Sequence, residues 1–144
     1  MGTPARISLV TLGVADVARS TAFYESLGWR RSSASLPVIT FFNTSGPVLA
    51  LFGRQDLAED ATVDPAGSGF RGVTLSINVE SVAAVDDLHD EWVAAGATSV
   101  RAPVPAVFEG GRTAYVADPD GHLWEFAHNP HFSIDAAGRV TAPD

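Results

Sequence analysis

Ala117-Asp118-Pro119-Asp120-Gly121-His122-Leu123-Trp124-Glu125-Phe126-Ala127-His128-Asn129-Pro130 is the stretch on which the reading of this chain turns. Asp-Pro-Asp-Gly is turn chemistry: Pro119 presets φ, the Asp side chains can bond nearby backbone, and Gly121 accepts a positive φ. The apolar and aromatic runs on either side predict two strands joined as a hairpin. Strand side chains alternate faces, so Glu125 points away from the side occupied by its neighbours Trp124 and Phe126. What Glu125 faces is the functional question.

Working outward, the bulk properties fix the class. A chain of 144 residues is one domain by size, or two small fused modules, with enough length for a core. Hydrophobic content of 46% with 18% charged residues is that of an ordinary folded protein. No apolar run reaches the length of a membrane span, and the N-terminus lacks a charged-then-apolar signal pattern, so a cytoplasmic location is expected. The chain has no cysteine, which excludes disulfides, thiolate nucleophiles and cysteine metal sites. All nine basic residues are Arg; without Lys there is no Schiff-base or pyridoxal-phosphate chemistry. A net charge of −8 argues against nucleic acid and anionic membranes as partners and favours a cationic or neutral small ligand, although solubility alone can account for it.

The order of elements repeats. Residues 7–14 read as a buried strand, Asp16 as the cap of a helix over 17–27, and Gly28 as its stop. Strands are expected over 29–36, 38–43 and 48–53, with a turn at Asn43-Thr44-Ser45-Gly46. Residues 54–69, polar and rich in Gly, Ala and Asp, read as a linker. The second half opens with a strand over 72–79. Ser81 caps a helix over 82–95, which carries Val82, Val85, Leu88 and Trp92 on one face. Strands over 98–102 and 112–117 lead into the Asp-Pro-Asp-Gly hairpin. Each half thus reads βαβββ. Leu12–Val17 aligns with Ile77–Val82 at an offset of 65 positions, Leu27-Gly28 with Ala95-Gly96 at 68, and Gly46 with Gly121 at 75. Offsets that only grow, with the gains in helix ends and loops, are the trace of a diverged duplication.

Leu12-Gly13-Val14-Ala15-Asp16 leading into Ser20-Thr21-Ala22-Phe23-Tyr24 and Leu27-Gly28-Trp29, together with Tyr115 to Phe126, resembles the vicinal-oxygen-chelate superfamily of glyoxalase, bleomycin-resistance and extradiol-dioxygenase relatives. The resemblance covers roughly residues 5–132, and the tail after Asn129-Pro130 is similar to an uncharacterised glyoxalase-like branch. It implies an α+β fold in which two βαβββ modules form a cupped mixed sheet with helices outside, a ligand in the concavity, and often a homodimer. The implied organisation is a single domain over 1–144, with a first module over 5–53, the linker over 54–69, a second module over 70–132 and a C-terminal tail over 133–144.

The resemblance also implies a divalent metal on four strand positions, two per module. In this sequence they fall on Leu9, Ala50, Thr74 and Glu125. One carboxylate, one hydroxyl and two aliphatic side chains make a poor site for a metal that needs three or four N, O or S ligands. No cofactor is therefore expected; a divalent metal held by Glu125 with His128 or His131 is the alternative. His122 and His128 stand three residues either side of Glu125, on the other face of a regular strand. His89 reads as a surface or half-buried residue.

Positions in phase with those four should line the cup. They are Leu9, Thr11, Val48, Ala50 and Phe52 in the first half, and Thr74, Ser76, Asn78, Leu123 and Glu125 in the second, with Ala127 continuing the phase. Trp29, Phe108 and Tyr115 could border it, and Glu109-Gly110-Gly111-Arg112 could act as a lid or simply connect strands. Apolar walls with a few polar groups are typical of small-ligand sites. A buried carboxylate must be paired, hydrated or protonated, so Glu125 could instead be neutralised by Arg30, Arg101 or Arg112. Two functions fit: a bleomycin-resistance-like module that binds a small organic molecule without a metal, or a lyase, isomerase or dioxygenase relative using Glu125 as general base or metal ligand. No nucleophile elbow, phosphate-binding loop or His-Glu-x-x-His motif is present.

Overall fold

The computed structural model describes residues 2–144. The chain divides into two compact units, the first ending at Gly67 and the second beginning at Ser68.

The first unit contains β1 (Leu9–Val14), α1 (Val17–Ser26), β2 (Ile39–Phe42), β3 (Val48–Gly53) and α2 (Arg54–Ala61). Its three strands lie in the order β1-β3-β2, with β1 parallel and β2 antiparallel to the central β3. The Asp16 carboxylate accepts a hydrogen bond from the Arg19 amide at 3.1 Å and starts α1 as expected. Alternation along the strands places Leu12, Leu49, Leu51 and Phe42 in the buried core with Phe23 and Tyr24 of α1. A buried hydroxyl pair, Thr21 and Thr40, ties the helix to the sheet at 2.8 Å.

Two expectations for this half are corrected. Residues 29–36 form no strand; only isolated bridges, Arg31 to Phe42 and Leu36 to Ile39, remain. Serine hydroxyls there capture backbone donors that a strand would pair: Ser32 Oγ accepts from the Ala34 amide and Ser35 Oγ from the Phe41 amide. The expected linker over 54–69 begins with a helix, α2. Its Arg-Gln-Asp-Leu-Ala-Glu-Asp-Ala run consists mainly of good helix formers, Asp56 stands in the positive first turn, and Ala58 is buried against the sheet. Thr62, in the left-handed region at φ 57°, ends it.

The second unit contains β4 (Leu75–Asn78), α3 (Val82–Ala94), β5 (Thr98–Pro105), β6 (Arg112–Ala117), β7 (Leu123–His128) and a small tail hairpin, β8 (Ser133–Ile134) with β9 (Val140–Thr141). The main sheet runs β4-β7-β6-β5, with β4 parallel to β7 and the other neighbours antiparallel. Ser81 Oγ caps α3 by accepting from the Ala84 amide at 3.0 Å. Val85, His89 and Trp92 are the buried stripe of α3; Trp92 packs on Trp124 and Phe126 with ring centroids 5.1 Å from each. His89 is more buried than expected because its Nε2 shares a 2.8 Å hydrogen bond with Ser99 Oγ on β5, whereas Val82 is exposed. β5 extends past 102 through Pro103 and Pro105, which an edge strand tolerates, at the expense of two register shifts.

The Asp-Pro-Asp-Gly turn forms as read. Asp118 is buried and its Oδ1 accepts from the amides of Asp120 and His122, both at 2.9 Å. Gly121 sits at φ 85°, where a side chain would be strained, and donates to the Asp118 carbonyl. The tail hairpin uses the same device: Asp135 Oδ1 accepts from the Ala137 and Arg139 amides.

Candidate functional site

The pairing register of the second unit lines up one residue from each of four strands. Ser76 on β4 stands beside Glu125 on β7, Glu125 beside Tyr115 on β6, and Tyr115 beside Arg101 on β5. Since each strand alternates, this row faces opposite to Trp124, Phe126, Ala114 and Val116, which are the buried side under α3. The sequence demanded this separation: the aromatic pair flanking Glu125 has a helix to pack against, and the carboxylate is left on the other face.

Glu125 is half-buried and both its oxygens are engaged. Ser76 Oγ donates to Oε1 at 2.8 Å, and the Tyr115 hydroxyl donates to Oε2 at 2.9 Å. A carboxylate offers about four acceptor directions, so each oxygen keeps one for another donor. The alternative, an arginine ion pair to Glu125, is not formed by Arg101 or Arg112. Arg112 points to the helix side and bonds Asp86 Oδ1 at 2.7 Å. Arg101 spends its charge elsewhere: its guanidinium lies over the Tyr115 ring, 4.9 Å from the centroid, and donates to Thr113 Oγ1. Burial raises the Tyr115 phenol above its ordinary pKa of 10.0; the hydrogen bond to Glu125 and that carboxylate's charge raise it further, against the opposing charge of Arg101. Tyr115 is therefore a neutral donor at physiological pH.

The other residues of the expected lining fall as follows. Thr74 immediately precedes β4 and is exposed, Asn78 pairs with Ala127, and Leu123 opens β7 beside Ala117. Phe108 lies in the β5–β6 connection with its ring over Gly111: a Cβ there would meet Phe108 Cε2 at 2.3 Å. Gly111 lies just ahead of β6, four residues before Tyr115, so the ring stands along the strand from the polar row and not in it. In the first unit, Leu9 pairs with Val48, Thr11 with Ala50 and Gly13 with Phe52, which puts Leu9, Thr11, Val48, Ala50 and Phe52 on a common face of that unit's sheet. Trp29 is not among them. It packs on Tyr24 at 5.4 Å and Phe42 at 6.0 Å, on the helix side of the first sheet. Arg101 and Thr113 are members of the polar face that sequence reasoning did not assign to the lining. Thr113 was available from its even spacing to Tyr115; Arg101 was hidden by the bulged register of β5.

The donor set can be tested against a divalent metal. Of the four positions implied by resemblance, Leu9 and Ala50 carry no donor atom, and Glu125 has only hydroxyl neighbours. Among the described residues no group of three or more His, Asp or Glu side chains is placed to hold a metal. His128 Nδ1 is 3.0 Å from the Val79 carbonyl oxygen, and its register partner is Arg112, so it stands on the face opposite Glu125. His131 lies exposed beyond Pro130. These residues do not fit the metal. Of two open depressions, one of about 480 Å³ lies beside Arg31–Pro37 in the first unit, and one of about 240 Å³ between 70–73 and 121–123 reaches Leu123, two residues from Glu125.

No helix among the described residues is long and apolar enough to cross a membrane. The family model for the Glyoxalase/Bleomycin resistance protein/Dioxygenase superfamily matches residues 6–126. No curated protein matches the chain. Among solved structures, a glyoxalase-related enzyme from Fulvimarina pelagi is 38% identical, with a TM-score of 0.87 over 97% of this chain and 100% of that one. A family member from Burkholderia phytofirmans PsJN (22% identity, TM-score 0.76, 86% and 98% of the two chains) shares the fold. So does lactoylglutathione lyase from Agrobacterium tumefaciens (21%, 0.67, 88% and 96%). The βαβ order of each unit, the Asp-Pro-Asp-Gly hairpin and the family match over residues 6–126 lead to one assignment: this chain belongs to the glyoxalase/bleomycin resistance protein/dioxygenase superfamily.

Proposed function

We propose that the protein binds a small organic molecule against the Ser76–Glu125–Tyr115 face, without the divalent metal usual in its superfamily. The observation that carries this reading is the carboxylate of Glu125, held by two hydroxyl donors and paired with neither Arg101 nor Arg112, with acceptor capacity left on both oxygens. A charge fixed in this way is pre-organised for a ligand that supplies hydrogen-bond donors. Apolar Leu123, two residues along β7 on the same face, stands beside it, as in sites where a few polar groups orient a ligand against apolar walls. The binding form is a homodimer, and the working compartment is the cytoplasm.

The second reading is an enzyme, a lyase, isomerase or dioxygenase relative in which Glu125 abstracts a proton from the bound molecule. It is favoured by the 38% identity to a protein described as a glyoxalase-related enzyme. In that reading Glu125 is the general base, and Tyr115, a neutral donor, offers a proton or hydrogen bond to developing negative charge.

Metal analysis of protein purified without chelator, beside a Glu125→Gln variant, separates the readings. The binding reading expects no stoichiometric metal in either protein and a ligand affinity that falls in the variant. Stoichiometric Zn, Ni, Fe or Mn that disappears with Glu125 overturns it. Unchanged affinity in Glu125→Gln removes Glu125 from both.

A further inference from the structure

The polar row carries charges of both signs, and their separation points to a class of ligand. Arg101 on β5 and Glu125 on β7 are two strands apart with Tyr115 between them. At the usual strand spacing their backbone positions are about 10 Å apart. The guanidinium leans over the Tyr115 ring at 4.9 Å and gives one donor to Thr113 Oγ1. Among the described residues it forms no ion pair, unlike Arg31, which is paired with Glu25, and Arg112, which is paired with Asp86. The row therefore ends in a cation with unused donors at one side. At the other it has an anion with unused acceptors, and the Tyr115 side chain separates the two.

A single-sign ligand would satisfy only one of these. Resting on the binding reading above, we propose that the second unit's sheet face takes a small zwitterion, with a carboxylate on Arg101 and a protonated amine on Glu125. Each half follows from donor and acceptor counts. A guanidinium is donor-only and planar, and its fork matches a carboxylate better than any neutral acceptor. A carboxylate is acceptor-only, and an ammonium brings three donors to the two free directions of Glu125. The carbons between the two ligand charges lie along the Tyr115 ring, which is neutral and half-buried. The Tyr115 side chain, with Arg101 over its ring and Glu125 at its hydroxyl, keeps the two protein charges apart, so a ligand meeting both must carry its own charges on opposite ends of a short carbon chain. That arrangement suits a linear amino acid with the amine a few methylenes from the carboxylate. The chain's net charge of −8 makes an acid-free Arg101 the specific feature here, since the overall field alone would repel the carboxylate end.

The test titrates the intact protein with 4-aminobutanoate, butylamine and butanoate, following backbone amide shifts of β4, β6 and β7 by NMR. In the unmodified protein, 4-aminobutanoate is expected to bind about tenfold more tightly than butylamine, and butanoate most weakly. In Arg101→Gln the advantage of 4-aminobutanoate over butylamine shrinks to about twofold or less, and in Arg101→Lys part of it returns, since a point charge replaces the fork. Equal affinity for 4-aminobutanoate and butylamine in the unmodified protein overturns the zwitterion assignment while leaving a ligand face at Glu125 standing. So does an advantage that survives Arg101→Gln. If none of the three probes moves the amides of β4, β6 and β7, both the assignment and the binding face fall. Arg101 is exposed, and the Lys variant guards against a folding defect.

Discussion

Thr11–Ala50–Phe41 in the first unit and Ser76–Glu125–Tyr115 in the second are the same row built twice. Each runs from a strand parallel to the central one, across the central strand, to an antiparallel neighbour. Each begins with a small hydroxyl residue and ends with an aromatic. The difference is two functional groups: a carboxylate where Ala50 stands and a phenol oxygen where Phe41 stands. The frame tolerates either chemistry, so the polar row belongs to the site and not to the fold. The helix-facing sides differ too. α1 meets its sheet through a buried Thr21–Thr40 hydroxyl pair, whereas α3 meets its sheet through Trp92 stacked on Trp124 and Phe126.

Transplanting the carboxylate into the first row is expected to have the largest effect. Ala50 is fully buried, so Ala50→Glu places a charge with no phenol to meet it. A loss of about 3–5 kcal/mol in urea unfolding is expected, the range for a buried charge stripped of its partner. Adding Phe41→Tyr should restore about 1 kcal/mol by supplying the missing hydroxyl. A loss well below about 1 kcal/mol for the single variant would show that the two rows are chemically interchangeable.

A smaller effect separates the two turns. Asp118 satisfies two backbone amides from a buried position, whereas its counterpart turn relies on exposed Thr44, which accepts from the Gly46 amide at 3.0 Å. Asp118→Ala should cost about 1–3 kcal/mol, since two donors lose a partner in a dry setting. Thr44→Ala should stay within about 0.5 kcal/mol. Equal losses in thermal unfolding would mean that the Asp-Pro-Asp-Gly turn is no stiffer than its counterpart.

The smallest effect sharpens the row itself. Tyr115 has a raised pKa, so its proton is bound more tightly in the folded state. Its contribution to stability is fully present below pH 10 and is lost as pH climbs through the raised folded value. Glu125→Gln should move the Tyr115 ionisation, followed by tyrosinate absorbance with Tyr115→Phe as the identifying control, down towards 10.0. It should stop above that value, because burial is the largest cause and survives the substitution. No movement would detach the phenol from Glu125.

Much of this was legible in the sequence. Asp-Pro-Asp-Gly announced the β6–β7 hairpin, and the period-two phase put Ser76 and Glu125 on one face and Trp124 and Phe126 on the other, with Tyr115 expected only at the border. The duplication offset of 75 paired Ala50 with Glu125, which the strand registers reproduce. What could not be read was competition for backbone donors by Ser32 and Ser35, which dissolved an expected strand. The helical preference of 54–61 was masked by its polar composition. The partners of Glu125 were also illegible: the hydroxyl of Ser76 arrives from 49 residues away, and Arg101 reaches the face only after bulges that parity counting does not anticipate.

Those sequence separations have a kinetic meaning. The Tyr115–Glu125 bond closes only 10 residues, within a hairpin whose turn is prepaid by Asp118; the Ser76–Glu125 bond closes 49. Loop-closure entropy grows with separation, so half of the carboxylate's cradle can assemble with the hairpin and the other half waits for β4, the edge of its sheet, to dock. Hydrogen exchange at the 75–78 amides, with and without ligand, measures that step. A molecule resting on both sides of Glu125 clasps the last strand to arrive, so by mass action occupancy would slow the fraying of β4.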